Sequence, residues 1–479
     1  MRITILSSRF ISLLVTLLFI SACSTNPVTG KREFAMSESW ELSTGAQHHP
    51  EILKEYTVYD DPALQAYVNS IGQRLAKQSH RPDLPFTFTL LDSPQVNAFA
   101  LPGGYVYITR GIMAYMTKEA HLAGVIGHEI GHITGRHGAQ RAAQQQIAGI
   151  GTAAAGILTG SNVVGQASQA LGGALISGYG RSQELESDRL GAEYIAKNNY
   201  PVDDMIGVIS ILKNQELFAA ERAAAEGREH QSYHGLFSSH PKNDKRLQEV
   251  IKAADKFRDA GQPVPDDGEF LRLTDGMSYG ESEAQGITRG NQFYHKDLNV
   301  YVEFPEGWAL QNSANQFAAI SPDGNQAIIM SMDTLQGQPA QYLSDNFPAF
   351  REGRSLSTSE DQAYAGVATI SNAQVQQNVR VSAVGRGDQA FVFTGLGKDA
   401  LPNKTFFDVT SSVRRLNNSE RKLASGRKIK LVRAKSGDTI ASLARKSNLD
   451  KYAQAQLRLI NDLYPDREPT PGQMIKIIE

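Results

Sequence analysis

The hydrophobic and polar positions along the chain change pattern several times, and each pattern predicts a different kind of element. Between residues 37 and 78, apolar side chains recur at helical spacing, which predicts helices. Residues 86–91 and 105–109 are β-rich runs bounded by Pro or Gly-Gly breaks, which predict short strands. Residues 122–127 are almost entirely apolar and predict a buried helix. Residues 37–260 are therefore expected to form a mainly helical domain with a small β-sheet.

The pattern is different after residue 260. Residues 261–269 are rich in Gly, Pro and Asp and predict a linker. Residues 270–418 contain strand-like runs separated by Gly, Asp and Pro turns, which predict an α/β domain with its lone His295 on the surface. Residues 428–479 follow the order strand, helix, helix, strand, which predicts a small separate module. The fold class that these segments predict is an α+β multidomain chain.

The N-terminus has the pattern of an export signal. A short basic start precedes an apolar run at residues 10–20, which is too short to span a bilayer comfortably. Residues 1–22 are therefore predicted to be a signal peptide and residues 23–36 a tether. The end of the run resembles a bacterial lipoprotein processing site, which implies acylation of Cys23. With Ser24 after it, the resemblance implies a periplasmic protein anchored to the inner leaflet of the outer membrane. An ordinary cleaved signal with a chance cysteine is the alternative.

Composition narrows the functional classes. A chain of 479 residues with 41% hydrophobic content is long enough for about two to four domains. A net charge of −2 gives no electrostatic support for binding nucleic acid. The single cysteine excludes an internal disulfide framework, and a metal site made of histidines and carboxylates suits such a chain.

The apolar stretch at residues 122–127 leads into an H-E-x-x-H motif. His128 and His132 lie one turn apart on the same helix face and can present two imidazole nitrogens to one metal ion. Glu129 stands beside them as a candidate general base. A polar pair on an ordinary helix is the alternative, but burying these groups without a partner would be costly. A metzincin would carry its third histidine at position 138, where this chain has Gly138, so the third ligand must come from elsewhere.

The third ligand is predicted about 50 residues downstream of the motif, on another helix. Glu184 and Asp188 are four residues apart and share one helix face. Glu184 is predicted to bind the metal, and Asp188 to accept the N–H of a ligating histidine and so fix its tautomer. His137 is predicted, like Asp188, to contact a metal ligand without binding the metal itself. Arg246, or alternatively His137, is expected to help stabilise the oxyanion during hydrolysis.

Two segments near the motif each allow two interpretations. The strand at Asn97, Ala98 and Phe99 can pair with an extended peptide substrate by edge addition, or it can belong to a hairpin that merely packs on the helix. Residues 142–180 are rich in Ala and Gly, and their glutamines argue against a membrane span. This small-residue segment is interpreted either as a lid or plug over the cleft or as a helical hairpin in the core.

Residues 37–255 resemble the zinc endopeptidases of metallopeptidase family 48, which includes HtpX, the CAAX prenyl endopeptidase and BepA. The residues that carry the resemblance are His128-Glu129-x-x-His132, Glu184-x-x-x-Asp188, Asn97-Ala98-Phe99, and Ser239-His240-Pro241 followed by Arg246. The resemblance implies a gluzincin-type site in which zinc is bound by His128, His132 and Glu184. The transmembrane helices of the HtpX and CAAX branches are absent, and the lipoprotein-like start places the chain with the soluble periplasmic branch. The helical repeats of BepA are absent as well, so the resemblance does not imply its particular partners.

His240 is the most specific regulatory hypothesis from the sequence. The resemblance implies a position near the metal, and Pro241 stiffens the backbone just after it. A loop histidine there can act as a fourth zinc ligand that displaces the nucleophilic water and silences the enzyme. Undocked, it can donate a hydrogen bond to the oxyanion. The alternative is a capping histidine on an exposed loop.

Two further resemblances concern the C-terminal half. The Phe304-Pro305-x-Gly307-Trp308 opening is similar to that of PsbP-type domains. The segment shows no catalytic constellation, so binding or scaffolding is its expected role. The Gly-Asp-Thr and Pro-Gly-Gln turns of residues 428–479 resemble a LysM module, which implies binding to the N-acetylglucosamine of peptidoglycan.

Together these observations predict a zinc-dependent endopeptidase of the bacterial envelope. The resemblance implies that it hydrolyses misfolded or unassembled periplasmic and outer-membrane proteins. The alternatives are an envelope chaperone or assembly factor with a dormant zinc site, and a peptidoglycan-associated protein that depends on its LysM-like module.

Overall fold

The computed structural model describes most of the chain. The described residues are 23–146, 178–227, 268–313, 316–371, 376–397, 403–449 and 451–479, together with Lys252, Asp255 and Lys256. The predictions for residues 1–22, for most of the small-residue segment, for the 261–269 linker, for His240 and for Arg246 lie outside this part of the chain, apart from residues 268 and 269. Within it, no helix combines the length and the apolar character needed to cross a membrane.

The chain folds into two compact units. Unit 1 comprises Met1–Leu53, Val58–Met277 and Ile429–Glu479, and unit 2 comprises Lys54–Thr57 and Ser278–Lys428. Unit 1 is therefore discontinuous in sequence. Ile429–Glu479, nearly all of the segment that the sequence predicts as a separate module, is part of the same compact unit as Val58–Met277.

The first part of unit 1 is mainly helical. Its helices are α1 Glu38–Glu55, α2 Pro62–Lys77, α3 Arg110–Met113, α4 Glu119–Thr134, α5 Arg181–Lys197, α6 Asp203–Ala225 and α7 Glu269–Thr274. Residues 137–146 are also helical. Local sequence explains how α2 begins, because the Asp61 side chain accepts a hydrogen bond from the Leu64 amide and Pro62 occupies the first turn.

A small sheet lies beside these helices. A two-stranded ribbon pairs β1 Cys23–Thr25 with β2 Arg32–Phe34, and the sheet itself comprises β3 Thr87–Leu91, β4 Ala98–Leu101 and β5 Tyr105–Thr109. The strand order is β3–β5–β4, with β3 parallel and β4 antiparallel to β5. Helix α4 packs against β4 and is buried from Ala120 to Thr134. This all-round burial explains why residues 122–127 are apolar without an amphipathic period.

Unit 2 is a mixture of antiparallel sheets and short helices. Its strands are β6 Ser278–Tyr279, β7 Ile287–Arg289, β8 Gln292–His295, β9 Val300–Glu303, β10 Ala309–Asn312, β11 Gln316–Ile320, β12 Gln326–Thr334, β13 Arg351–Ser357, β14 Gln362–Ser371, β15 Gln376–Arg386 and β16 Gln389–Gly397. Its helices are α8 Pro339–Asn346, α9 Asn403–Ser411 and α10 Asn418–Leu423. Seven strands form one sheet in the order β10–β11–β12–β16–β15–β14–β13, and every pairing in it is antiparallel.

The surface position predicted for His295 in unit 2 is wrong. His295 is the last residue of β8, is buried, and has its Nε2 3.1 Å from the Ala284 carbonyl oxygen. Burial lowers the pKa of this imidazole. The error arises because a polar residue that ends a strand can be buried when a neighbouring backbone group provides a hydrogen-bond partner.

The C-terminal segment returns to unit 1 in the order strand, helix, helix, strand. It contains β17 Arg427–Arg433, α11 Ile440–Ala444, α12 Ala453–Ile460 and β18 Met474–Ile478, with β17 antiparallel to β18. Lys476 of β18 is fully buried, and its Nζ donates to the carbonyl oxygens of Ala114 at 2.6 Å and Met116 at 2.5 Å. The C-terminal segment thus holds the loop that leads into α4.

Candidate metal centre

Helices α4 and α5 lie unusually close together because small residues line their crossing. A Cβ placed on Gly131 would lie 3.0 Å from both the Cα and the carbonyl oxygen of Ser187. A Cβ on Gly127 would lie 3.3 Å from the Cα of Gly191. Gly127 and Gly131 directly precede His128 and His132. Because the two glycines let α4 and α5 approach closely, the histidines of α4 lie near the carboxylates of α5.

We expect Gly131→Ala to destabilise unit 1, because its new methyl group meets backbone atoms that cannot move aside. Gly124→Ala on the same helix is the matched control, since its methyl group meets only the side-chain atoms of Val208 and Met205 within 3.4 Å. Both changes gain the same helix propensity, so their difference reports the contact. Urea unfolding should place Gly131→Ala about 1–3 kcal/mol below Gly124→Ala in free energy of unfolding. Equal values would contradict the tight crossing.

Three side chains from the two helices converge at one point. The Nε2 atoms of His128 and His132 are 3.0 Å apart. The Glu184 carboxylate places one oxygen 3.6 Å from His128 Nε2 and the other 3.5 Å from His132 Nε2. One ligand atom from each residue lies within 4.8 Å of the other two, and all three residues are buried. Within the described part of the chain, this is the cluster with metal-binding geometry.

The cluster fits a divalent metal ion. His128 uses its Nδ1 for a 2.9 Å contact with the Asp188 carboxylate, and His132 places its Nδ1 2.9 Å from His137 Nδ1. Because Nδ1 is engaged on each ring, the lone pair of each Nε2 can be directed into the shared space. A buried carboxylate between two imidazoles is costly unless a cation compensates it, and this donor set is one that binds transition metals.

Glu129 and Tyr179 face the same buried space. Burial, followed by the nearby carboxylates of Glu129 and Glu184, raises the pKa of Tyr179 above its ordinary value, although Arg141 opposes the shift. The Tyr179 ring stacks on His132 with centroids 3.8 Å apart, and the Arg141 guanidinium lies 4.2 Å from the Tyr179 ring centroid.

Sequence reasoning missed Tyr179 and Arg141. Arg141 lies four residues after His137 on the helix of residues 137–146, so helical spacing could have placed it on the same face. A tyrosine two residues ahead of α5 carries no comparable signal.

His137 lies behind His132. Its ring is fully buried and contacts the Nδ1 edge of His132, not Nε2. Its own Nε2 lies 3.2 Å from a Glu186 carboxylate oxygen. Glu186 did not emerge from the sequence as a site residue, because it lies between Glu184 and Asp188 and a carboxylate at that spacing is common on helix surfaces.

The predicted substrate strand lies at a sheet edge beside the cluster. Asn97 immediately precedes β4, which contains Ala98 and Phe99 and is the outer strand in the order β3–β5–β4. All three residues are buried. A small cavity is lined by the β4 end and the residues that follow it, by His132 and by Tyr179. The edge strand and a ring of the metal cluster therefore share one cavity.

Sequence comparison assigns two domains in the chain. Residues 62–254 match Peptidase family M48, and residues 432–477 match the LysM domain. The chain therefore carries an M48 peptidase domain, which belongs to a family of metal-dependent peptidases, followed by a C-terminal LysM domain. Both predicted resemblances are confirmed. The His128, His132 and Glu184 cluster lies within the M48 match.

The chain is similar to two curated proteases. The beta-barrel assembly-enhancing protease of Yersinia pestis is 28% identical over 232 residues, covering 47% of this chain and 46% of that protein. The beta-barrel assembly-enhancing protease of Escherichia coli K12 is 26% identical over 234 residues, covering 47% of this chain and 45% of that protein. The matched part of this chain thus spans less than half the length of these relatives.

A solved structure has a weak similarity to the chain. The solution structure of a cyanobacterial PsbP from a Synechocystis species covers 27% of this chain and 96% of that protein at 9% identity, with a TM-score of 0.21. That score is too low to establish a shared fold.

Proposed function

We propose that this protein is a zinc-dependent endopeptidase of the bacterial envelope. The observation that carries the proposal is the buried cluster of His128, His132 and Glu184, with Glu129 beside it on α4. Two imidazoles and one carboxylate are a donor set of catalytic zinc sites, which keep a further position open for water. The M48 match and the names of the two curated relatives support the same class of reaction.

The chain supplies the remaining parts of a hydrolytic mechanism. Zinc, when bound, acts as a Lewis acid and lowers the pKa of water. Glu129 takes a proton from the attacking water and delivers it to the nitrogen of the leaving amine. Asp188 accepts the Nδ1 proton of His128 and holds that ring in the tautomer in which Nε2 binds metal. The close crossing of α4 and α5 fixes the distance between the two sets of ligands.

We further propose that substrates bind in an extended form against β4. Main-chain pairing with an edge strand reads backbone rather than side chains, so it favours unfolded or unassembled chains over folded ones. Asn97, Ala98 and Phe99 are the substrate-binding residues of this proposal, which is supported by the position of β4 as the outer strand of its sheet. Since the names of two relatives refer to enhancing β-barrel assembly, misfolded or unassembled periplasmic and outer-membrane proteins are the proposed substrates.

The proposed location is the periplasmic side of the outer membrane. Acylated Cys23 provides the anchor, and the LysM domain provides contact with peptidoglycan, as LysM domains bind this polymer. Unit 2 is proposed as a PsbP-like binding or scaffolding domain. His240 as an inhibitory fourth ligand and Arg246 as an oxyanion donor complete the proposal, on the sequence argument alone.

Metal analysis tests the proposed function. The purified protein is expected to contain about one zinc ion per chain, to lose hydrolysis of an unfolded protein when a chelator removes the metal, and to recover with zinc. Glu184→Ala should lose zinc because one of three protein ligands is gone. Glu193→Ala is the matched control on the same helix, since Glu193 pairs with Lys197 away from the cluster. Full zinc content in Glu184→Ala would refute this ligand assignment.

A further inference from the structure

The two histidines of the metal cluster are held in different ways. His128 contacts the Asp188 carboxylate directly, at 2.9 Å. His132 contacts a second imidazole, that of His137, at 2.9 Å between the two Nδ1 atoms. A carboxylate is the more common partner of a metal-binding histidine, so the partner of His132 requires an explanation.

His137 in turn contacts a carboxylate, that of Glu186. His137 Nε2 is 3.2 Å from a Glu186 carboxylate oxygen. His132 and His137 have fully buried side chains, whereas that of Glu186 is 25% exposed. The three side chains therefore form a continuous chain of hydrogen-bonding groups from the metal cluster to the protein surface, which we call the His132–His137–Glu186 chain. Ser187 Oγ lies 3.4 Å from His137 Nδ1, at the limit of hydrogen-bonding distance.

Only one arrangement of protons satisfies this chain when His132 binds metal through Nε2. His132 then carries its proton on Nδ1 and donates it to His137 Nδ1, which must be an unprotonated acceptor. The proton of neutral His137 is consequently on Nε2, where it is donated to Glu186. Tyr179 stacks on the face of His132 and limits its rotation.

We propose that His137 and Glu186 are positioning residues that fix the tautomer and orientation of His132 and thereby strengthen its bond to the metal. The inference rests on the proposed metal-dependent function and extends it to residues outside the ligand set. Glu186 acts only through His137, because the imidazole stands between it and the ligand. The negative charge of Glu186 makes His137 a better acceptor, and His137 in turn makes His132 Nε2 a stronger donor to the metal.

Zinc affinity, measured by competition with a chromophoric chelator, tests the role of the His132–His137–Glu186 chain. His137→Phe is expected to weaken zinc binding about tenfold to a hundredfold, and Glu186→Gln about tenfold. Glu193→Gln is the matched control, with a change well below tenfold expected, because Glu193 pairs with Lys197 at 2.8 Å and is linked to Glu186 only through Arg189, at 3.8 Å and 4.0 Å. Unchanged affinity in both His137→Phe and Glu186→Gln would overturn the proposal, while a parent protein that binds no zinc would instead refute the proposed function.

A double-mutant cycle separates positioning from general destabilisation. If Glu186 acts through His137, Glu186→Gln should have no further effect on zinc affinity in the His137→Phe background. If Glu186→Gln lowered zinc affinity equally in both backgrounds, Glu186 would act by another route, and the proposal that it acts through His137 would be overturned. Thermal unfolding of each variant identifies any loss of the fold.

The proton positions can be read without an activity assay. Nitrogen-15 NMR of labelled histidines in the zinc-loaded protein is expected to show His137 protonated on Nε2 and His132 protonated on Nδ1. Glu186→Gln should disturb the His137 signals, and Glu193→Gln should not. Protonation of His137 on Nδ1 would contradict the proposal directly.

Discussion

Glu129→Gln is expected to retain zinc and the native fold but to lose peptide hydrolysis by a factor of about 10²–10⁴. The amide is nearly the same size as the carboxylate, so the packing of buried α4 is preserved. It cannot, however, accept a proton from water at neutral pH. The proposed metal ligands His128 and His132 are unchanged in this variant. The rate is measured on an unfolded protein substrate, and the zinc content is measured on the same sample.

Glu184→Gln is the informative comparison, because it makes the same chemical change at the other buried glutamate of the site. Glu184 is predicted to bind the metal, so its amide should lower zinc affinity as well as rate. The two variants thus separate the base from the ligand. Full activity in a zinc-loaded Glu129→Gln protein would show that another group is the base. Loss of zinc in Glu129→Gln would show that the two roles are not separable.

The second large effect is expected at Lys476, where unit 1 buries an amine. Burial lowers the pKa of Lys476 to about 7, although Asp462 opposes the shift. Nearby His121 is also buried and has its pKa lowered to about 4, with Lys118 and Asp204 facing it. Charged Lys476 donates to the carbonyl oxygens of Ala114 and Met116.

The sign of the pH dependence follows from these values. Between a folded pKa of about 7 and an unfolded value of 10.5, the unfolded chain binds more protons than the folded chain. The free energy of unfolding should therefore rise with pH in this window, by at most about 1.4 kcal/mol per pH unit from this group. Below pH 7 both states are protonated, and the full cost of burying the charge is present.

The free energy of unfolding in urea is measured for the parent and for Lys476→Met between about pH 7.5 and about pH 9.5. This range lies between the folded and unfolded pKa values of Lys476. Subtracting the two curves removes titrations that they share, and the difference is expected to change with pH by the slope given above. Lys430→Met is the control, since Lys430 lies on the neighbouring strand β17 with a half-exposed side chain. A pH-independent difference between the parent and Lys476→Met would show that Lys476 titrates normally.

Local sequence predicted the parts of the site that depend on local geometry. The spacings His128 to His132 and Glu184 to Asp188 require only that each segment be helical, and both segments are. The apolar run ahead of His128 predicted a buried helix, and this too required only the local sequence. The order strand, helix, helix, strand of the C-terminal segment was also readable from turns and periodicity. In each case the prediction needed no knowledge of which elements touch.

The remaining features depend on contacts between distant segments. Glu186 is one of several polar residues on the exposed side of α5, and only the position of His137 distinguishes it. Lys476 is the clearest case, because lysine is among the residues least often buried, and no sequence pattern identifies two backbone carbonyls as its partners. The sequence also could not show that the C-terminal segment joins unit 1, since that contact lies beyond any local pattern.

The hydrogen bonds from Lys476 to Ala114 and Met116 also determine when unit 1 can be completed during synthesis. These bonds join residues separated by 362 and 360 positions in the chain. At about 5–20 residues per second, the partners of Lys476 emerge roughly 20–70 s before Lys476 itself is made. The helices that carry the proposed metal cluster emerge early in that interval and Ser278–Lys428 of unit 2 follow, yet the contact between Lys476 and the loop that leads into α4 forms only after β18 has been made. Unit 1 thus depends on a strand that is synthesised only after the main segment of unit 2.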